Sequence, residues 1–391
     1  MPSGPDRLDQ LLSDFPERER QRLVEIRRDL HRQPELAFQE TRTADSVARN
    51  LASLGVTPRT GVATTGVVAD LGKDGNRLLV RADLDGLPIT EASGVDFASE
   101  TPGRMHACGH DGHVAIALAV ASRLLQDPAG PVRLLFQPAE EIARGARACV
   151  AAGVLDGVRT AVGLHLWNQL PVGTVGVNRG ALMAAVDDFE IVVEGPGGHG
   201  AAPHETADPI VAAARIVEAL QTIVSREVSP LEPAVVTVGT IRGGEAFNVI
   251  PQRVRLTGTA RWFADAVGAA MPGRFERIVT HTAAAAGLTA RVDYRHVNRP
   301  VVNNSRVADV VIETAARLLG EENVETETRT LGGEDMSVYL GAVPGCFFFV
   351  GSAPEGPHRP HHSPRFAIDE RALPVAVVLM EAVVRELQAA G

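Results

Sequence analysis

The sequence predicts an α/β catalytic domain on a largely parallel sheet, interrupted by a smaller ferredoxin-like α+β domain. Three observations predict it. Before about Ala184, short continuous apolar runs alternate with stretches of helical period, the pattern of parallel strands buried on both faces. Between about residues 186 and 298 the order changes to β-α-β-β-α-β, the split unit of ferredoxin-like folds. Beyond Pro300 helix and strand alternate again. A chain of 391 residues exceeds one ordinary core at roughly 150 residues per domain. The expected division is therefore 1–185, 186–298 and 299–391, with the two outer segments forming one domain.

Taken in order, Asp45–Leu54 reads as a helix, and Gly66–Leu71 and Arg77–Asp83 as strands. Val114–Leu125 reads as a helix, and Val132–Phe136 and Ala161–Leu166 as strands. In the insert, Asp187–Glu194 alternates as a strand. Asp208–Arg226 is a helix capped by Asp208, with Pro209 in its first turn. Its apolar positions Ile210, Ala213, Ile216, Val217, Leu220, Ile223 and Val224 keep the helical period. Strands Ala234–Ile241 and Val254–Trp262 follow. A helix is expected over Phe275–Ala286, with Pro272 breaking its start, then a strand Thr289–His296. A helix Glu370–Ala389 closes the chain.

Composition excludes several classes of function. Apolar residues make up 45% and charged residues 22%, which suits a globular protein. The 38 basic and 48 acidic side chains leave a net charge of -10, and no cationic block offers a surface to nucleic acid or an anionic membrane. No apolar stretch reaches a membrane span, and the polar N-terminus carries no secretory signal. Three cysteines (Cys108, Cys149, Cys346) make no disulfide framework, so a cytoplasmic enzyme is expected.

The chemistry concentrates in Met105-His-Ala-Cys-Gly-His-Asp-Gly-His113. Imidazole, thiolate and carboxylate at this density form the ligand set of zinc and neighbouring transition metals. Other candidates stand at strand ends: Arg81-Ala-Asp-Leu-Asp85, Gln137-Pro-Ala-Glu-Glu141, His165, and Pro360-His-His-Ser-Pro364. In open α/β sheets the carboxyl ends of strands share a crevice, so these groups can converge. Glu140 and Glu141 cannot point the same way from an extended chain, so one can ligate while the other acts as a base. A cysteine hydrolase built on Cys108 and His110, and a metal-bearing binding module, are the rival classes.

A series of ordered motifs carries a resemblance. RRDLHRQPELAFQE (27–40), RADLDGLPITE (81–91), MHACGHDGH (105–113), FQPAEE (136–141), GLHLW (163–167), GGHGAAPH (197–204), NVIP (248–251), GTAR (258–261), GGED (332–335) and HSPRFAIDE (362–370) span nearly the whole chain. Together they resemble the aminoacylase/carboxypeptidase family of dinuclear metallohydrolases, in the branch with hippurate hydrolase and the auxin–amino acid conjugate hydrolases. The resemblance implies a zinc-peptidase-like catalytic domain and a satellite domain used for dimerisation. It implies two divalent ions, Mn or Zn, held by Cys108, His110, Glu141, His165 and His362, with Glu140 as general base. His362 is preferred over His361 because it begins the branch's His-x-Pro pattern.

Further roles come from the same resemblance. Asp85 would orient a ligand from behind, and His106, Asp111 and His113 would support ligands without binding metal. Asp83 stands where sister branches carry a ligand histidine. His199 would polarise the scissile carbonyl, while Asn248 and Arg261 would hold the substrate's free carboxylate. The implied substrate is a small N-acyl amino acid, cleaved to a carboxylic acid and an amino acid, with a dipeptidase or N-acetyl-amino acid deacetylase as the alternative. A homodimer is expected through the inserted domain, along the edge Val235–Thr240 or a helix face near Ile223. In it His199 would serve the neighbouring chain.

Overall fold

The computed structural model describes residues 4–73 and 75–390. The chain divides into two compact units: the first comprises Met1–Leu182, Val301–Arg329 and Glu334–Gly391, and the second Met183–Pro300 with Thr330–Gly333. Thr330–Gly333, part of the last stretch on the sequence reading, thus joins the inserted unit.

The first unit is built on an eight-stranded sheet. Its centre is parallel: Val132–Gln137, Arg77–Asp83, Val158–Trp167 and Gly345–Gly351 lie side by side in that order. These strands are buried along most of their length, which explains their continuous apolar runs. Antiparallel partners flank them, so the sheet is mixed at its edges. The helix His110–Gln126 crosses this core with twelve buried residues, His110 through Leu118 among them. It starts one turn before the apolar period does, because its first turn is polar. Gly109, at φ 90°, supplies the left-handed residue that opens it.

The N-terminal helices Gly4–Asp14 and Glu17–Arg32 have no counterpart in the apolar pattern. The second of them buries Leu23, Arg27, Leu30 and His31, a helical face half made of charge. No helix among the described residues is long and apolar enough to cross a membrane.

The second unit holds a four-stranded antiparallel sheet. With its strands Ala185–Glu194, Ala234–Arg242, Arg253–Trp262 and Thr289–Asn298 numbered along the chain, the order across the sheet is 4-1-3-2. Two helices, Pro209–Thr222 and Asp265–Ala285, cover one face. Asp208 caps the first, accepting from the Ile210 N–H at 2.8 Å.

Two expectations are corrected here. Pro272 lies inside the helix Asp265–Ala285 instead of breaking its start. The residue four before it is Gly268, packed flat against the Trp262 ring, where a Cβ would lie 2.3 Å from the indole. Ile223 offers no free helix face: it is fully buried in the unit's core, at the start of a π-turn over Ile223–Glu227. The exposed large apolar residues of the preceding helix are Ile210 and Val211.

Candidate metal centre

Five ligand-type side chains of the first unit meet at the carboxyl ends of its strands. Donor atoms of Cys108, His110 and His165 lie within 4.8 Å of one another, as do those of Cys108, Glu141 and His362, and those of His110, Glu140 and Glu141. All five residues to which the resemblance assigned metal are therefore in one cluster. Cys108 Sγ stands 3.4 Å from His165 Nε2, and His362 Nε2 stands 3.3 Å from Glu141 Oε2.

Backbone carbonyls decide how these imidazoles face. His110 Nδ1 lies 2.9 Å from the Asp85 carbonyl, and His165 Nδ1 lies 3.0 Å from the Leu166 carbonyl. A carbonyl only accepts, so both rings carry their proton on Nδ1 and turn an Nε2 lone pair into the cluster. His113 differs. Its Nε2 accepts from the Leu166 N–H at 2.9 Å, so its Nδ1 donates to Asp83 Oδ1 at 2.7 Å. Both ring nitrogens of His113 are thus engaged, and Asp83 Oδ2 is held by Arg81 at 2.6 Å, although the donor atoms of Asp83, His110 and His113 also lie within 4.8 Å of one another.

Of the two adjacent histidines near the C-terminus, His361 donates through Nε2 to the Leu166 carbonyl at 3.1 Å and stacks on Trp167. His362 turns the other way, at φ 60°, with its N–H on the Ala107 carbonyl. Its side chain is 54% exposed, so the cluster opens to solvent there.

The glutamate pair sits on a tight turn. Asp85 accepts the Glu140 N–H on Oδ1 at 3.0 Å and the Glu141 N–H on Oδ2 at 3.1 Å. Its carboxylate therefore grips the turn, while its backbone carbonyl orients His110. Besides His110 and Glu141, Glu140 also faces Glu334 and Asp335. Burial first, then the charges of Glu334, Glu141 and Asp335, hold the Glu140 carboxyl well above the usual carboxylate range. Burial and the Glu334 carboxylate likewise push Asp335 up to about 8, against the pull of Arg81.

Arg81, fully buried, binds Asp83 at 2.6 Å and Glu334 and Asp335 at 2.9 Å, and reaches Gln137 Oε1 at 3.0 Å. Arg81, Gln137, Glu334 and Asp335 all lie in the ordered motifs of the sequence, which gave none of them a task. Their signal was charge inside otherwise apolar or glycine-rich runs, which marks buried pairing.

The residues present fit divalent cations. Among the described residues, His110 Nε2 and Glu141 Oε1 are buried without a hydrogen-bond partner. Around them the carboxyl groups of Asp83, Asp85, Glu140, Glu141, Glu334 and Asp335 crowd together, a setting that a bound cation would stabilise. Burial and the Glu141 carboxylate raise the Cys108 thiol, the reverse of what a cysteine nucleophile needs. Coordination by a cation would deprotonate it.

In the second unit, the two-residue strand Gly198–His199 pairs with Val249–Ile250, which sets His199 beside Asn248. The Gly200 N–H donates to the Asn248 carbonyl at 2.8 Å, and a Cβ on Gly200 would lie 2.9 Å from that oxygen. His199 Nδ1 accepts from the Ala201 N–H at 3.0 Å, which puts the ring proton on the exposed Nε2. Arg261, half-buried on the strand Arg253–Trp262, has no carboxylate in ion-pair reach among the described residues. Burial lowers its pKa, against the attraction of Asp187.

Comparison with known proteins places this arrangement. Residues 79–386 match the description "Peptidase family M20/M25/M40". The chain belongs to that family. It is 42% identical over 364 residues to the N-acetylcysteine deacetylase of Bacillus subtilis, covering 91% of this chain and 94% of that protein. It is 38% identical over 367 residues to the IAA-amino acid hydrolase ILR1-like 4 of Arabidopsis thaliana, covering 91% and 83%. The crystal structure of the Bacillus subtilis YXEP protein, described as a dinuclear metal binding peptidase of the M20 family, superposes with a TM-score of 0.84. It is 36% identical and the match covers 96% of this chain and 99% of that one.

Proposed function

We propose that this protein is a metal-dependent amidohydrolase that cleaves N-acyl amino acids to a carboxylic acid and an amino acid. The observation that carries the reading is the buried cluster. Cys108, His110, Glu141, His165 and His362 converge in it, with His110 Nε2 and Glu141 Oε1 buried and unpartnered among the described residues, and Glu140 stands beside them. When bound by those five side chains, two divalent ions would supply Lewis acidity that makes a water nucleophilic near neutral pH and polarises the amide oxygen. The mixed thiolate, imidazole and carboxylate set favours zinc or manganese over magnesium or calcium.

Glu140 takes the proton of the attacking water and returns it to the departing amine. A carboxylate held beside the water can serve both halves of that task. His199, with its proton on Nε2, donates to the oxyanion that develops on the scissile carbonyl. Asn248 and Arg261 hold the substrate's free carboxylate, and the missing protein partner of Arg261 supports this assignment. N-acetyl amino acids come first among substrates, since two Bacillus subtilis proteins named for N-acetylcysteine deacetylation are 42% and 41% identical to this chain.

The inserted unit is the proposed dimerisation surface. Ala234–Arg242 is an edge of its sheet, and Ile241, Phe247 and Val249 are exposed. Co-expressed Glu140→Ala and His199→Ala chains recover about a quarter of full activity if His199 serves its neighbour, and none if it serves its own chain. A cytoplasmic location suits the three unpaired, buried cysteines.

The deciding experiment is a panel of hippurate, N-acetyl amino acids, indole-acetyl conjugates and dipeptides, with Mn²⁺ or Zn²⁺ added. Turnover of the acylated amino acids above the dipeptides supports the reading. Turnover of dipeptides alone would make the protein a dipeptidase instead.

A further inference from the structure

The turn that carries the glutamate pair is held by more than Asp85. Three successive backbone N–H groups, of Ala139, Glu140 and Glu141, each meet a carboxylate oxygen. The last two go to Asp85 and the first goes to Glu40 Oε1, at 2.9 Å. Glu40 is fully buried and belongs to no ion pair among the described residues. Its second oxygen accepts from Thr65 Oγ1 at 2.5 Å. A carboxylate in such a place is expensive to desolvate, and the motif RRDLHRQPELAFQE ends on it.

What Glu40 holds is strained. Ala139 sits at φ 55°, in the left-handed region that a residue with a Cβ avoids. The turn is closed behind it by Arg144 and Gly145 N–H groups on the Ala139 carbonyl and by the Ala143 N–H on the Glu140 carbonyl. Gly145 is obligatory there, since a Cβ would lie 1.6 Å from the Pro138 carbonyl oxygen. On the other side Gly66 packs against Pro138, where a Cβ would be 3.0 Å from the proline ring. Beyond this left-handed step Glu140 alone of the pair faces Glu334 and Asp335, and Glu141 alone faces Cys108 and His362, while both reach His110. Without an acceptor its fully buried N–H would stand unpaired, and the peptide would rotate to recover a partner.

We propose that Glu40 is a positioning residue for the hydrolytic reaction: through the Ala139 N–H it fixes the left-handed step that separates the base Glu140 from the ligand Glu141. This rests on the reading of Glu140 as general base. Glu40 touches neither substrate nor metal, so its loss acts on the rate and not on binding.

The test compares Glu40→Ala, Glu40→Gln, Thr65→Val and Glu140→Gln in the full-length protein. Each is measured for metal content, melting, kcat, KM and hydrogen–deuterium exchange of the segment 137–146 without metal. Glu40→Ala is expected to lower kcat roughly 10- to 100-fold at full metal content, the scale of a misplaced reacting group, with KM within about threefold. Exchange in 137–146 should rise. Glu40→Gln, whose amide oxygen still accepts from Ala139, should stay within about threefold of the parent in kcat. Unchanged kcat and exchange in folded, metal-loaded Glu40→Ala overturns the proposal, as does equal loss in the alanine and glutamine variants. If Glu40→Ala does not fold, Thr65→Val decides: a lower kcat with faster exchange supports the proposal, and parental values in both overturn it. Full activity in Glu140→Gln would remove the base itself, a failure separate from any result at position 40.

Discussion

The two units present their candidate residues in opposite ways. In the first, the polar side chains around the cluster are buried and tied to one another, through Arg81 on one side and the Leu166 peptide on another. In the second, His199 and Asn248 are exposed, and Arg261 has no acidic partner among the described residues. Only backbone pairing, between Gly198–His199 and Val249–Ile250, holds the first two in register. A prebuilt acidic cluster is what cations need, because repulsion among its carboxylates has to be offset from the start. Groups that bind a transient carboxylate or oxyanion are better left unpaired, so that no internal partner competes with the substrate.

The sharpest break of that comparison lies in the glutamate pair. Glu140→Gln should keep both metals and the fold yet lower turnover about a hundredfold or more, the usual scale for a positioned base. Glu141→Gln should instead lose metal. Elemental analysis beside kcat separates the two, and the reverse pattern would exchange their roles. In the second unit, Arg261→Ala should raise KM about thirtyfold for substrates with a free carboxylate. Amidating the substrate carboxyl should cost the parent enzyme as much and the variant little. Equal rates on acid and amide would remove Arg261 from substrate recognition.

Stability separates the units as well. His31 lies buried between Asp111, at 2.8 Å, and Glu91, at 3.2 Å. Burial opposes its charge, but the Asp111 charge and the hydrogen bonds that the ring donates to both acids outweigh burial and raise its pKa. A raised value means stabilisation that is complete below the unfolded value near 6.5 and is lost as pH climbs through the folded one. His31→Gln should therefore cost about 2 kcal/mol in urea unfolding at pH 6, and progressively less above about pH 6.5. A penalty that grows with pH would contradict the charged pairing. The smallest effect belongs to the second unit: Asp208→Ala should cost about 1 kcal/mol through its lost cap and leave kcat unchanged.

Local signals made much of this legible. The strands Gly66–Leu71 and Arg77–Asp83 match the sequence reading residue for residue, since both are buried along most of their length and so read as nearly continuous apolar runs. The segment 105–113 was readable because its ligand types are crowded. The polar scaffold was not, because its partners are distant along the chain: Arg81 meets Glu334 across 253 residues and Ala139 meets Glu40 across 99. Periodicity hid the helix Glu17–Arg32 for a related reason, since half of its buried face is the charged pair Arg27 and His31. Which nitrogen of a histidine faces inward depends on a single carbonyl, and no sequence pattern carries that. Nor does a pattern reveal the left-handed backbone at Ala139 and His362, where the residue type gives no hint of φ.

Metal reconstitution tests the central claim most directly. Protein stripped with a chelator is titrated with Mn²⁺ or Zn²⁺ while hydrolysis of an N-acyl amino acid and bound metal are followed together. The cluster of Cys108, His110, Glu141, His165 and His362 predicts no turnover in the stripped protein and full turnover at two ions per chain. Hydrolysis that survives complete removal of metal, or that saturates at a single ion, would contradict it.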